Sequence, residues 1–422
     1  MEYSASEVLS YVEENDVKFI KLFFTDIYGN IKSLTVQPSM LKSTFEEGIS
    51  FDANAVKGFL HVNESDLFIT PDPATLSVLP WRPQHGRVAR LYCNIKYPDG
   101  NPFEGDSRMI LKNVMKKCHD MGYEVKVGTE CEFYLLRLDE NGLPSRIPSD
   151  CAGYCDLAPL DKGENVRRDI ILTLEQMGIT PEASHHESGP GQNEIDFKYD
   201  TAIRAADNLT TFKNVVKTIS AQDGFFASFL PKPMGLNNPG SGLHINLSLY
   251  KNNENCYINN TPDSQHFTAG ILSRIKEITA FLNPLRQSYE RLGSFEAPKY
   301  ISWSSQNRSQ LIRVPAAVGD RSRIELRSPD CTCNQYISLA LIIAAGLEGI
   351  EKKTPLPPSV DLDLYSANEE QTKKLEQLPT SLNEALECAE KSEFVKSIVS
   401  EQTLKSYIQE KSVDMDPEFW EM

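Results

Sequence analysis

Residues Val127-Gly128-Thr129-Glu130-Cys131-Glu132-Phe133 place two carboxylates two positions apart in an otherwise uncharged run. Side chains of an extended strand alternate between faces, so Glu130 and Glu132 share one face while Thr129, Cys131 and Phe133 take the other. Two like charges on one face repel and are costly to bury. Such a strand folds either as a sheet edge with a solvated outer face, or as the wall of a site where a cation relieves the repulsion.

Three more segments carry the same kind of patterning. In Arg321-Ser322-Arg323-Ile324-Glu325-Leu326-Arg327 the alternation sets Arg323, Glu325 and Arg327 against Ile324 and Leu326. That face is a surface ion ladder or a cradle for phosphate and carboxylate oxygens. In Gly240-Ser241-Gly242-Leu243-His244-Ile245-Asn246-Leu247-Ser248, the residues His244, Asn246 and Ser248 share a face, and the glycines ahead of them let a ligand approach the backbone. A lone histidine there suits a structural role as well as a catalytic one. Gly189, Pro190 and Gly191 break any helix between His185 and Glu194, so Glu187 and Glu194 sit on a bent loop or its flanking strands. His185 and His186 face opposite ways in extended chain, which weakens a joint zinc role. No G-x-x-x-x-G-K-[ST] run occurs, so any ATP is bound without a P-loop.

The chain has 422 residues, which suits two domains better than one core. Its formal net charge of -16 disfavours a broad cationic surface for nucleic acid. The N-terminus lacks the pattern of a signal peptide, and no apolar run reaches the roughly 18 residues of a membrane helix. Nine cysteines, an odd number, fit reduced thiols in a cytoplasmic protein. Cys331 with Cys333, and Cys151 with Cys155, lack the compact partner cluster of a zinc site.

The first hundred or so residues read as strand-rich: a helix over 6–14, a hairpin from 17–24 and 31–36, and short strands over 67–70, 76–79 and 88–93. The turn at Pro98 to Pro102 is the best boundary. Beyond it the pattern predicts helices over 107–121, 164–177, 205–221, 268–281 and 336–352, strands over 123–138, 225–229 and 243–249, and a polar helical tail from 378. There is no repeat of fixed period, and the mixture indicates an α/β or α+β catalytic domain.

Taken in order, Phe24-Thr-Asp-Ile-Tyr-Gly29, Phe51-Asp52, Glu64-Ser-Asp-Leu67, Gly128-x-Glu-x-Glu-Phe133, Ser184-His-His-Glu187, Gly191-Gln-Asn-Glu194, Pro231-Lys-Pro233, Gly240-Ser-Gly-x-His244, Asn307-Arg-Ser309 and Arg323-x-Glu-x-Arg327 resemble glutamine synthetase of the prokaryotic type I class. The resemblance spans nearly the whole chain. It implies an α+β fold, with a small β-grasp-like domain over 1–102 and a large catalytic domain over 103–422 whose curved antiparallel sheet is flanked by helices.

The implied activity is ATP-dependent formation of L-glutamine from L-glutamate and ammonia through γ-glutamyl phosphate, with Mg2+ or Mn2+. By the same resemblance Glu132, Glu187 and Glu194 hold the metal beside glutamate, and Glu130, His244 and Glu325 the metal beside the ATP phosphates. Arg313 and Arg323 hold phosphoryl oxygens. Gly240, Arg291, Arg308 and Arg327, with Glu132 and His244, bind glutamate, and Glu182, Tyr199 and Ser248 contact the nucleotide. Asp52 and Glu296 attract and deprotonate ammonium, Asp52 from a neighbouring chain in a dodecamer of two hexagonal rings. A nitrogen-regulatory protein is a further implied partner.

Three departures bear on substrate preference. Pro239 stands where the family has an asparagine, Ala53-Asn54-Ala55 follows Asp52 in place of Gly-Ser-Ser, and the flap over 292–295 is one residue shorter. Tyr365 lies near the place of a tyrosine adenylylated in some members. The alternatives are a related γ-glutamyl ligase with an amine or polyamine acceptor, and a catalytically silent regulatory member. All six metal-matching positions are retained, which argues against the latter.

Overall fold

The computed structural model describes residues 3–59, 65–305 and 307–413. Glu64 of the quoted motifs lies outside them. The first helix, α1 (Ala5–Glu14), begins one residue before the predicted start. Ser4 accepts from the Glu7 amide and Glu7 accepts from the Ser4 amide, a reciprocal capping box. The alternating run then forms β1 (Val17–Thr25), which pairs antiparallel with β2 (Ile31–Val36) as expected. Asp26 closes their turn by accepting from the amides of Tyr28 and Asn30.

The sequence pattern did not reveal α2 (Pro38–Glu46) or β3 (Ile49–Asp52). With β4 (Asp66–Pro71), β5 (Ser77–Val78) and β6 (Arg87–Lys96), the first sheet runs β2-β1-β6-β4-β3, with β5 also on β6. The β1–β6 pair is parallel and the rest antiparallel. This is the β-grasp-like arrangement.

The second sheet has eleven strands arranged around β7 (Tyr123–Leu138). β8 (Pro144–Pro148), β10 (Gln192–Phe197), β11 (Asp200–Thr201), β12 (Phe225–Ser228) and β13 (Leu243–Lys251) all pair with β7, and β9 (Pro181–His186) pairs with β10. β14 (Glu254–Asn255) extends β13, while β15 (Trp303–Ser305), β16 (Ile312–Val314) and β17 (Ile324–Leu326) continue the sheet beyond it. All pairs but β15–β16 are antiparallel.

Helices α3 (Ser107–Asp120), α4 (Glu164–Gln176), α5 (Ala202–Gln222), α6 (Pro262–Leu282), α7 (Arg286–Arg291) and α8 (Gln335–Lys352) flank that sheet. The apolar α8 is core, buried along most of its length, and no helix among the described residues is long and apolar enough to cross a membrane. The tail is helical over Leu382–Lys391, Glu393–Val399 and Glu401–Val413, but not polar throughout: Leu386, Val395, Val399 and Leu404 are buried.

Polar bonds fasten the first sheet to the helices behind the second. Arg108 of α3 grips Asp207 of α5 through Nε and Nη2, and reaches Asp72 next to β4 through Nη1 at 2.9 Å.

Candidate active site

Strand register brings the patterned segments together. On the β7–β13 ladder His244 lies opposite Glu130, and on the β13–β17 ladder Asn246 lies opposite Glu325. His244 Nδ1 is therefore 3.2 Å from Glu130 Oε2 and 3.6 Å from Glu325 Oε1. Burial alone raises the Glu130 carboxyl, but the bond and charge of His244, the Asn246 amide and the Arg323 charge outweigh it and hold the group at about 2. Glu325 is fully buried and takes Arg313 Nη1 at 2.6 Å and Arg327 Nη1 on its other oxygen.

A second group forms where β10 lies between β7 and β9. Glu194 sits opposite Glu132 on one side and His185 on the other. His185 Nε2 is 2.7 Å from Glu187 Oε1, and ligand atoms of His185, Glu187 and Glu194 lie within 4.8 Å of one another. Glu132 stands just outside this set, its Oε2 accepting from the Gly242 amide and Gln192 Nε2, each at 2.9 Å. Burial and then the surrounding carboxylates push Glu194 well up, and burial with the Glu187 charge raises Glu132. Asp196, opposite Glu130, is pushed up to about 7 by burial and by Glu130.

Both groups fit divalent cations. Each offers carboxylate oxygens and one imidazole nitrogen, a donor set suited to Mg2+ or Mn2+. Burial and the neighbouring carboxylates disfavour ionisation of Glu194, and bound positive charge removes that penalty. No cysteine belongs to a ligand group among the described residues, and His185 and His186 do face opposite ways, the first half-buried and the second fully buried.

A cavity of 470 Å³ opens beside Glu130 and is lined by Glu182, Tyr199, Ser248 and Arg323. These are four of the residues expected at the nucleotide. Arg323 Nε also donates to Asn246 Oδ1 at 2.7 Å. Arg313, the fifth, is turned to Glu325 and does not line the cavity.

The glycine loop lies against Arg291, whose buried guanidinium donates to the carbonyls of Ser328 and Arg327. A Cβ at Gly242 would stand 2.5 Å from Arg291 Nη2, and one at Gly240 would overlap the Pro231 carbonyl. Only glycine allows this approach. The Pro239 carbonyl accepts from Tyr134 at 2.7 Å, while the amide of Asn238 donates to Met234 O and so does not replace the missing asparagine.

Arg327 Nη2 donates to the Glu296 carbonyl at 3.3 Å and lies 3.8 Å from its carboxylate. Phe295 and Glu296 both take positive φ, 46° and 66°, in the flap. Tyr365 is exposed, with Arg327, Glu296 and Arg291 as its charged neighbours. Arg308 is exposed. Asp52 is exposed on the first sheet, where its Oδ1 accepts from the Asn54 amide, and it belongs to neither carboxylate group.

Four residues carry a site role that the sequence pattern does not assign, although it sets Asn246 on the face of His244. Asn246 links Glu130 to Arg323, Gln192 links Glu132 to the Gly240 carbonyl, Asp196 lines the cavity, and His185 joins the second group. Asp196 was reachable from its period-two spacing after Glu194. The others depend on which strands are neighbours.

Two carboxylate–imidazole groups, the first of which contributes Glu130 to the wall of a cavity of this size and lining, suit metal-assisted phosphoryl transfer. The family model described as glutamine synthetase, beta-Grasp domain, matches residues 16–98, and that described as glutamine synthetase, catalytic domain, matches residues 104–420. The chain belongs to the glutamine synthetase family, in its prokaryotic type I class. It is an ATP-dependent ligase that makes L-glutamine from L-glutamate and ammonia.

Among its relatives, a glutamine synthetase of Methanosarcina mazei is 45% identical over 420 residues, covering 97% of this chain and 94% of that protein. One of Clostridium saccharobutylicum is 43% identical over 424 residues, covering 98% and 95%. Among solved structures, a GmaS/ADP complex has a TM-score of 0.87 at 28% identity, covering 96% of this chain and 94% of that one. A Plasmodium falciparum glutamine synthetase has a TM-score of 0.87 at 26% identity, covering 98% and 96%.

Proposed function

We propose that the reaction runs through γ-glutamyl phosphate in a site built on the two carboxylate groups. The observation that carries this reading is the Glu130–His244–Glu325 group, whose Glu130 also forms part of the cavity wall. Glu130, His244 and Glu325 hold one Mg2+ or Mn2+ ion near the ATP phosphates. Glu132, Glu187 and Glu194, joined by His185, hold another near the glutamate carboxylate. Bound there, the ions screen repulsion between carboxylate and phosphate and stabilise charge developing in transfer.

Glu182, Tyr199 and Ser248 contact the nucleotide, and Arg313 and Arg323 orient its phosphoryl oxygens. Arg291, Arg308 and Arg327, with Glu132, His244 and the Gly240 backbone, hold glutamate so that its γ-carboxylate attacks the terminal phosphorus and ADP leaves. Ammonia then attacks the acyl carbon and phosphate leaves. Glu296 and Asp52 attract ammonium and take its proton, an anionic side chain being suited to both tasks.

The site is completed between chains in a cytoplasmic dodecamer of two hexameric rings. The position of Asp52 on the first sheet, apart from both carboxylate groups, supports this. The domain division falls between residues 102 and 103, supported by family matches that end at 98 and resume at 104. A nitrogen-regulatory protein binds the same assembly.

Phosphate release with glutamate and ATP, compared across ammonium, methylamine, ethanolamine and polyamines, tests the reading. Ammonium should dominate. Preference for a larger amine would replace it with a γ-glutamyl amine ligase.

A further inference from the structure

Behind the His185–Glu187–Glu194 group lies a buried aspartate–histidine pair. His186 is 0% exposed, with Nδ1 2.6 Å from the Glu187 carbonyl oxygen and Nε2 2.9 Å from Asp150 Oδ1. A carbonyl and a carboxylate only accept, so both ring nitrogens donate and the imidazole acts as a two-ended brace.

Asp150 is itself pinned. Its Oδ1 also accepts from the Gly191 amide at 3.0 Å, and its Oδ2 from the Lys162 amide at 2.9 Å. The Glu187 carbonyl at one end of the 187–191 turn and the Gly191 amide at the other therefore converge on one Asp–His pair. The Glu187 amide closes the same turn by donating to the Gln192 carbonyl at 2.8 Å. From this turn the Glu187 carboxylate projects, and beyond it β10 carries Glu194.

Asp150, Asp161 and His186 also present ligand atoms within 4.8 Å of one another. They do not form a third cation site. Both nitrogens of His186 are committed as donors, and Asp161 is held by Arg167 through both oxygens.

We propose that Asp150 and His186 are positioning residues that fix the turn bearing Glu187, and thereby set the divalent-cation affinity of the His185–Glu187–Glu194 group without affecting the Glu130–His244–Glu325 group. This rests on reading the two groups as cation sites. Partners that orient ligating side chains are worth about 10–100-fold in metal affinity.

The experiment is direct Mn2+ binding to the whole protein without ATP or glutamate, following free Mn2+ by electron paramagnetic resonance. The wild type should show two classes of site. His186→Gln keeps a donor near the Nε2 position and removes the one facing the Glu187 carbonyl, so it should weaken one class by about 10–100-fold and leave the other unchanged. His186→Asn keeps the carbonyl-facing donor and loses the Asp150 bond, so it should weaken the same class by less.

Unchanged binding by folded His186→Gln, or equal loss in both classes, would overturn the proposal. Should His186→Gln not fold, Asp150→Asn carries the test, with loss confined to one class supporting the brace and no loss refuting it. If the wild type bound no Mn2+, the cation reading itself would fail and the brace with it. That result is distinct, because the wild type alone would give it.

Discussion

Arg313 donates through Nη1 to Oε2 of the buried Glu325 at 2.6 Å, across the β16–β17 ladder. Arg327 takes the other oxygen, so the carboxylate is held between two guanidinium groups with Oε1 3.6 Å from His244. Glu325→Ala should lower phosphate release by at least about 100-fold. It also strands two cations, at a cost of about 3–5 kcal/mol. Glu325→Gln separates the effects by keeping an acceptor for the arginines, and undiminished turnover in that variant would remove Glu325 from the site.

If sites form between chains, two inactive variants should rescue each other. Asp52→Asn and Glu325→Gln damage different halves of a shared site, so random co-assembly should restore about one quarter of wild-type activity. A site confined to one chain predicts no recovery.

Gly242→Ala puts a methyl group against Arg291. Expected is a rise of about tenfold in the KM for glutamate with that for ATP unchanged, since lost positioning of one substrate spares the other. Equal change in both constants would mean general collapse of the loop.

The Arg108–Asp207 fork is buried between α3 and α5. Arg108→Ala should destabilise the protein by about 3–5 kcal/mol, because Asp207 is left without its cation. Arg108→Lys should recover only part of that in urea unfolding, a point charge being unable to match the fork.

Glu348 of α8 meets Arg274 of α6 and its own neighbour Lys352. The Arg274 bond holds its carboxyl at about 2, with Lys352 adding to the effect. A lowered folded-state value means the contribution is complete above the unfolded value of about 4.3 and lost as pH falls towards the folded one. Glu348→Gln should cost about 1 kcal/mol at neutral pH, a figure reduced for its partial exposure. The gap between variant and wild type should narrow as unfolding is measured from about pH 5 down to about pH 3; a constant gap would contradict the pairing.

The period-two patterns at 127–133, 240–248 and 323–327 were readable without a structure because a strand's backbone dictates which way each side chain points. That set Glu130 with Glu132, His244 with Asn246, and Glu325 with Arg327, whereas Arg313 reaches Glu325 from the neighbouring strand. The long helices were visible for a similar local reason, whereas α2, short and starting at Pro38, was not.

Lateral pairing was decided only in the folded chain. Opposition of His244 to Glu130 and of Glu194 to Glu132 comes from hydrogen bonds and burial between segments far apart in sequence, and that of Glu194 to His185 from the register across the 187–191 turn. Local alternation contains no term for which strand lies alongside. For the same reason the linking role of Asn246 and the bracing of Glu187 by His186 emerged only once the sheet had formed.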